Sequence, residues 1–318
     1  MRRCPVCEYP ACQVKWLLGD RFFRTTEERF ELFECPACGL LFQDPSRDNL
    51  ASSTWYPPAY WWEQEAGPAG RMEARYREWV VENDQLNFLR KLFPNPKGLR
   101  LLDVGTGSGL FVEVARRYGF VAEGLEPAEG TEGVTSSPVR PIRRVSVDDL
   151  INEGYRCDIV TMFHVLEHVA DPFSFLRKVR ELLDKPGHLI VQVPNRASLQ
   201  ADWFGPRWYG LDCPRHLCNF TEHALLHLLG RAGFRIRRRR HFSLRDNAPA
   251  IVSSLLPDLD PMSWRVRRVR EGRTDSGLGT LVRELAYFCL VAAAQIPAVL
   301  EAAAGRGGTV TVYATWDV

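Results

Sequence analysis

One stretch narrows the choice of fold more than any other. Leu101-Leu102-Asp103-Val104-Gly105-Thr106-Gly107-Ser108-Gly109-Leu110-Phe111 is an apolar run that breaks into three alternating glycines and resumes as helix-forming sequence. Such a turn needs backbone conformations that glycine adopts without steric cost, and it leaves the amides of a helix N-terminus exposed to a ligand. From Leu99 onward short apolar runs alternate with helical stretches, the pattern of a parallel sheet covered on both faces. They predict strands over 99–104, 121–125, 139–142, 158–163 and 189–193, a later strand over 234–242 and a closing one over 309–316. Helices are expected after Gly109, Asp148, Asp171 and Thr221. Asp171 can cap, Pro172 suits a first turn, and Phe173, Leu176, Val179, Leu182 and Leu183 make one apolar face.

The glycines are spaced G-x-G-x-G. A dinucleotide fingerprint would need a further glycine where Leu110 stands. Asp103, at the strand end, would repel a pyrophosphate and attract a cationic amino-acid moiety. Glu126 closes the next strand 21 residues after Gly105, where a carboxylate can accept both hydroxyls of a ribose. An adenosine with a cationic tail satisfies both acids, and S-adenosylmethionine is such a molecule. The stretch resembles the first two motifs of class I S-adenosylmethionine-dependent methyltransferases, and Phe163-His164-Val165-Leu166-Glu167-His168-Val169-Ala170-Asp171-Pro172 extends the resemblance after the fourth strand. The resemblance implies an α/β fold with a Rossmann-like seven-stranded sheet in three αβα layers, the last strand antiparallel. It implies a cofactor held by Asp103, Gly105, Thr106, Gly107, Gly109 and Glu126, with Phe163 and His164 beside it and Val147 or Asp148 near the adenine.

Beyond the fifth strand, residues 203–217 (Trp203 to Leu217) gather aromatic and ionisable side chains where α/β sheets place substrate. His216 is the first candidate for a base, with Tyr209 as proton relay and Arg215 as anion clamp. The alternative for His216 is a cap on the next helix or a partner for a buried carbonyl. His164-x-x-Glu167-His168 also has the form of an inverted zinc-protease signature, but it follows a buried strand, which argues against a protease. It is closer to the ubiquinone-type O-methyltransferase group, which carries Glu-x-x-Glu-His and can hold a divalent ion. Here His164 replaces the first glutamate, so Glu167 and His168 are expected to hydrogen-bond locally, at the start of the helix.

Cys4-Pro5-Val6-Cys7 and Cys35-Pro36-Ala37-Cys38 are two knuckles separated by 27 residues, a spacing that suits a structural Zn²⁺ held by Cys4, Cys7, Cys35 and Cys38. Cys12 is a substitute ligand at poorer spacing, and Cys289 is read as a core thiol. The chain divides as a zinc ribbon over 1–45 and an aromatic lid with an amphipathic helix over 46–98. The methyltransferase core covers 99–242 plus 309–318, and a helical insertion covers 243–308. The lid centres on Tyr60, and the helix buries Trp79, Val80, Leu86, Leu89 and Leu92.

A composition of 45% hydrophobic and 25% charged residues with a net charge of +2 excludes fibrous and disordered classes and gives no global field for nucleic acid. Arg237 to Arg240 lie in one strand and alternate faces, so they are read as a solvated edge. No secretory signal opens the chain, and a cytoplasmic location is expected. The uncharged run 285–300, 16 residues, falls short of the ~20 needed to span a bilayer and is expected to be buried or interfacial, with peripheral membrane contact through 277–300 as a lesser reading. The sequence thus favours a methyltransferase acting on a small molecule, a sugar or sugar nucleotide first. An RNA base methyltransferase with a zinc-ribbon RNA-binding module and a non-catalytic cofactor-binding protein are the alternatives.

Overall fold

The computed structural model describes residues 2–44, 55, 68–126, 139–271 and 277–317. Its N-terminal part is an antiparallel meander of β1 (Gln13–Gly19), β2 (Arg29–Glu34) and β3 (Leu41–Gln43). The lid expected around Tyr60 lies outside the described residues except for Trp55, whose ring meets Phe30 edge-on at 5.5 Å. Then α1 (Pro68–Val81) passes through a π-helical turn, Glu82–Leu86, into α2 (Asn87–Leu92), which stops before Pro94 because proline cannot continue a helix. Leu86 and Leu89 are buried as the periodicity requires, whereas Trp79 is half exposed and stacks on Tyr76.

The glycine turn joins β4 (Arg100–Val104) to α3 (Leu110–Tyr118), followed by β5 (Val121–Leu125) and β6 (Ile142–Arg143). The strand predicted over 139–142 overlaps this two-residue strand only at Ile142, since Pro141 has no amide hydrogen to give a ladder. Next comes α4 (Val147–Asn152), which starts earlier than expected because Ser146 and Asp149 form a reciprocal capping box. β7 (Cys157–Phe163), α5 (Pro172–Glu181) and β8 (Leu183–Pro194) follow, with Asp171 capping α5 through the Ser174 amide. After α6 (Leu199–Phe204) and the short β9 (Cys218–Asn219) come α7 (Glu222–Arg231) and β10 (Arg235–Arg240). Three helices, α8 (Asn247–Leu255), α9 (Pro261–Glu271) and α10 (Gly277–Ala303), precede β11 (Thr309–Trp316).

Seven strands make one sheet in the order β10-β11-β8-β7-β4-β5-β6, with β11 antiparallel between β8 and β10. Apolar side chains of α4, α5 and α7 cover one face and those of α2 and α3 the other, which gives the three layers expected. Each fully buried leucine there, such as Leu102 or Leu176, contributes about 1.5–3 kcal/mol by leaving water. The ribbon is not a separate bead. β9 pairs antiparallel with β3, so the N-terminal sheet has the order β1-β2-β3-β9 and borrows its fourth strand from the segment before α7.

α10 covers the stretch 277–300 expected to be buried or interfacial, but more of it is apolar than the uncharged run suggested. The uncharged run is only its middle, and 25 residues, Gly279–Ala303, are long and apolar enough to cross a membrane by length and composition. The helix lies along the protein all the same. Tyr287, Val291, Ala294 and Ala298 pack on Ala248 and Val252 of α8, and Glu301 accepts hydrogen bonds from the Gln200 side chain at 2.5 Å and the Gly308 amide at 3.0 Å. Cys289, read as a core thiol, is exposed on the other side.

Candidate active site

Parallel pairing sets Asp103 of β4 opposite Gly124 of β5, so Glu126 emerges beside the glycine turn. The Gly105 and Thr106 amides donate to the Leu125 carbonyl at 2.8 and 3.3 Å, and the Gly107 amide donates to Glu126 Oε2 at 2.8 Å. A β-carbon at Gly105 would stand 2.4 Å from Val165, whereas one at Gly107 would meet nothing within 4 Å. Gly105 therefore lets the turn close on the segment after β7, and Gly107 presents open backbone. Asp103 accepts a hydrogen bond from Thr161 Oγ1 at 2.6 Å. Burial, reinforced by the neighbouring Glu126, pushes its carboxyl up to about 7, and burial also raises Glu126. Two buried acids whose charge burial disfavours are a receptor for a cation and for hydroxyl donors, both of which stabilise the ionised carboxylate. The acids fit an adenosine with a cationic amino-acid tail.

The tip of β7 continues the site. Phe163 packs edge-on against Phe111 of α3 at 5.0 Å. His164 takes a left-handed conformation, φ +59°, and donates from Nδ1 to Glu167 Oε1 at 3.2 Å and from Nε2 to Asp246 Oδ2 at 3.0 Å. Burial opposes its charge, but Asp246 and then Glu167 outweigh burial and push the imidazole up to about 10. Asp148 does not join this group. As the second residue of α4 it points outward and pairs with Lys178 of α5 at 2.7 Å, while Val147 beside it is buried.

Glu167, His168 and His216 converge, with one carboxylate oxygen and one ring nitrogen from each histidine within 4.8 Å of one another. His216 donates its Nδ1 hydrogen to the Gly210 carbonyl at 2.8 Å, and His168 donates its own to the Arg215 carbonyl at 3.0 Å. A carbonyl only accepts, so in the neutral rings Nε2 carries the lone pair. Glu167 Oε2 is buried with no hydrogen-bond partner among the described residues. The expectation of local hydrogen bonds holds for Glu167, which accepts from His164 three residues earlier, and is corrected for His168, whose ring bonds to the loop that carries His216. Burial and then His216 lower His168 to about 4, so it stays neutral where His164 is charged. The donor set also suits a divalent ion.

Of the other loop residues, Arg215 is no anion clamp. Its guanidinium is fully buried, bound by Asp212 at 2.7 Å and Asp20 at 2.8 Å, and lies over Phe23. Two carboxylates consume the donors a substrate would need. Tyr209 packs edge-on against Phe22 at 4.8 Å, in a cluster with Phe23 and Val266, where it supports the loop. The sequence reading missed Asp246, 82 residues from His164, and Asp20, 195 residues from Arg215; only folding brings these pairs together.

In the knuckles, Cys4 Sγ lies 3.6 Å from Cys38 Sγ and Cys7 Sγ 3.4 Å from Cys35 Sγ, with all four sulfurs within 4.8 Å of one another. A tetrahedral Zn²⁺ with bonds of ~2.3 Å separates its sulfurs by ~3.8 Å, so the cluster fits the ion. Cys12 Sγ turns to the Tyr9 carbonyl and stays outside the set.

The family description "Methyltransferase domain" matches residues 72–238, just over half of the chain, and covers the cradle and the tip of β7. The chain belongs to the class I S-adenosylmethionine-dependent methyltransferase family. The methyltransferase is similar to the ubiquinone biosynthesis O-methyltransferase of Cereibacter sphaeroides (strain ATCC 17025), with 36% identity over 167 residues, 47% of this chain and 67% of that protein. It is similar also to the enzyme of that name from Azorhizobium caulinodans, with 32% identity over 155 residues, 43% of this chain and 58% of the relative. The matched segment thus spans about three-fifths to two-thirds of these relatives' length. Among solved structures, a SAM dependent methyltransferase from Archaeoglobus fulgidus matches with 17% identity and a TM-score of 0.46, covering 78% of this chain and all of that one.

Proposed function

We propose that this methyltransferase moves a methyl group from S-adenosylmethionine to a hydroxyl of a small organic acceptor, with His216 taking the proton. The observation that carries the reading is the contact between the two halves of the site. Gly105 closes on Val165, two residues before Glu167, so the cofactor cradle abuts the cluster of Glu167, His168 and His216. Bound S-adenosylmethionine supplies an electrophilic methyl on a sulfonium. Asp103 would hold the ammonium group of its tail and Glu126 its ribose. Methyl transfer is in-line, so positioning dominates, and a base matters where the acceptor carries a proton. His216 Nε2 is such a base because its Nδ1 hydrogen is committed to Gly210.

A hydroxyl acceptor is common to the relatives, which are O-methyltransferases by name, and to the sugars favoured by sequence. The specific case for an anionic sugar nucleotide weakens with Arg215 committed to Asp20 and Asp212. The orphaned Glu167 Oε2 favours a second reading, in which Glu167, His168 and His216 hold a divalent ion. The four N-terminal cysteines are assigned to a structural Zn²⁺, one per chain.

Calorimetry with S-adenosylhomocysteine tests the cradle. Asp103→Ala or Glu126→Ala should weaken binding about tenfold or more, ~1.4 kcal/mol. Transfer of labelled methyl to a panel of phenols, sugars and RNA tests the acceptor, and His216→Ala should abolish turnover with cofactor binding kept. No heat from the intact chain would end the proposal; binding without turnover of any acceptor would favour a non-catalytic protein. Turnover lost to a chelator that spares the cysteine site, and restored by divalent metal, would favour the ion.

A further inference from the structure

α10 turns an apolar face outward along most of its length. Its buried stripe, Tyr287, Val291, Ala294 and Ala298, leaves Val282, Leu285, Leu290, Ile296, Val299 and Leu300 on the outside, with Ile296 69% and Leu300 65% exposed. Between Glu284 and Glu301 no charged residue interrupts this surface, about 24 Å of helix at 1.5 Å per residue. Leu255 and Leu256, where α8 ends, are exposed as well, just past Ser253, whose hydroxyl is 3.2 Å from that of Tyr287. A continuous face of this size on a soluble fold marks an interaction site.

The rim indicates what covers it. At the N-terminal end of α10, Trp264 of α9 has the guanidinium of Arg268 and that of Arg283 each 4.7 Å from its ring centre. Alongside, Tyr76 of α1 meets Phe288 edge-on at 5.4 Å and stacks on the half-exposed Trp79, with Arg75 exposed next to it. Apolar body, aromatic collar and arginines in sequence match acyl chains, the interfacial zone and anionic headgroups. A second copy of the chain would offer those arginines little: the far end of α10 exposes Ile296, Val299 and Leu300, and its one acid, Glu301, is buried. The helix cannot span a bilayer while one stripe packs on α8 and Glu301 is tied to Gln200 and Gly308.

We propose that α10, with α9 and the outer face of α1, docks this methyltransferase peripherally on an anionic membrane surface. The surface lies outside the segment that matches the methyltransferase domain, apart from α1, and so belongs to what this chain adds to that domain. It is also one helix from the site, because α8 begins directly after Asp246, the partner of His164.

The test is co-sedimentation of the full chain with vesicles containing phosphatidylglycerol and with vesicles of phosphatidylcholine alone. The anionic vesicles should bind it at least about tenfold better, less so as salt rises. Ile296→Glu with Leu300→Glu should reduce binding about tenfold or more. Both residues are exposed, so the unfolding midpoint and S-adenosylhomocysteine binding should stay unchanged. Failure to bind either vesicle, equal binding to both, or full binding by the double variant would overturn the proposal. So would a dimer in sedimentation equilibrium that the double variant dissolves, since the face would then be covered by a second copy.

Discussion

Asp103 shows how burial can be put to use. Its carboxyl sits at about 7 because burial penalises the charge and Glu126 adds to the penalty. A cationic ligand prefers the ionised form, so affinity for S-adenosylmethionine should fall as pH drops through about 7. In Asp103→Asn it should be weak and flat with pH, which calorimetry across that range reads directly. The same shift acts on stability in the opposite direction. The folded form binds a proton that the unfolded chain has lost above its ordinary carboxylate value, so this group's contribution is greatest in acid and disappears as pH rises toward 7. The glycines differ as sharply. Gly105→Ala drives a β-carbon to 2.4 Å from Val165 at φ +69° and should prevent the turn from closing, lowering both the unfolding midpoint and cofactor binding. Gly107→Ala enters open space and should cost only left-handed strain, about 1–2 kcal/mol, in thermal unfolding.

At the scale of elements, the N-terminal sheet braces the loop that carries His216. β3 pairs with β9 directly after His216, Gln43 Nε2 donates to the carbonyls of Pro214 and His216 at 2.8 and 2.9 Å, and Thr221 Oγ1 donates to Cys38 O at 2.8 Å. Cys35→Ser, or removal by a chelator of the Zn²⁺ proposed for the four cysteines, should therefore lower turnover far more than affinity for S-adenosylhomocysteine; equal losses would deny the ribbon this role. Asp20→Asn removes one of the two carboxylates around a fully buried guanidinium and should destabilise the fold by about 3–5 kcal/mol in denaturant unfolding. None of this coupling was legible in sequence, because a two-residue strand such as β9 has no periodicity to read. What was legible had a local cause. α5 announced itself through Asp171, Pro172 and its apolar stripe, and the cradle through two acids that need only adjacent parallel strands to meet. α10 lies close to the 277–300 expected, and only its apolar length was undercounted, because the count stopped at Glu284 and Glu301 while the helix runs past both.

For the molecule as a whole, the choice between a small acceptor and RNA turns on where its arginines are spent. A net charge of +2 supplies no general attraction, so RNA binding would need a local surface with free cations. The arginine run of β10, read from sequence as a solvated edge, is largely met by acids in the fold. Arg237 pairs with Asp317, Arg239 with Glu222 at 3.0 Å and Arg240 with Asp84 at 2.7 Å, so three of the four already face carboxylates. Arg231 of α7 likewise pairs with Glu8 of the ribbon. A protein that neutralises several phosphates loses affinity steeply with salt, because each contact releases a counterion. Filter binding of the zinc-loaded chain to structured RNA should accordingly give weak retention at low salt and a shallow slope as salt rises. Tight retention with a slope of several phosphates, together with methyl transfer to RNA in preference to phenols or sugars, would mean that the ribbon and β10 release their arginines to a polyanion, and the acceptor would have to be reassigned.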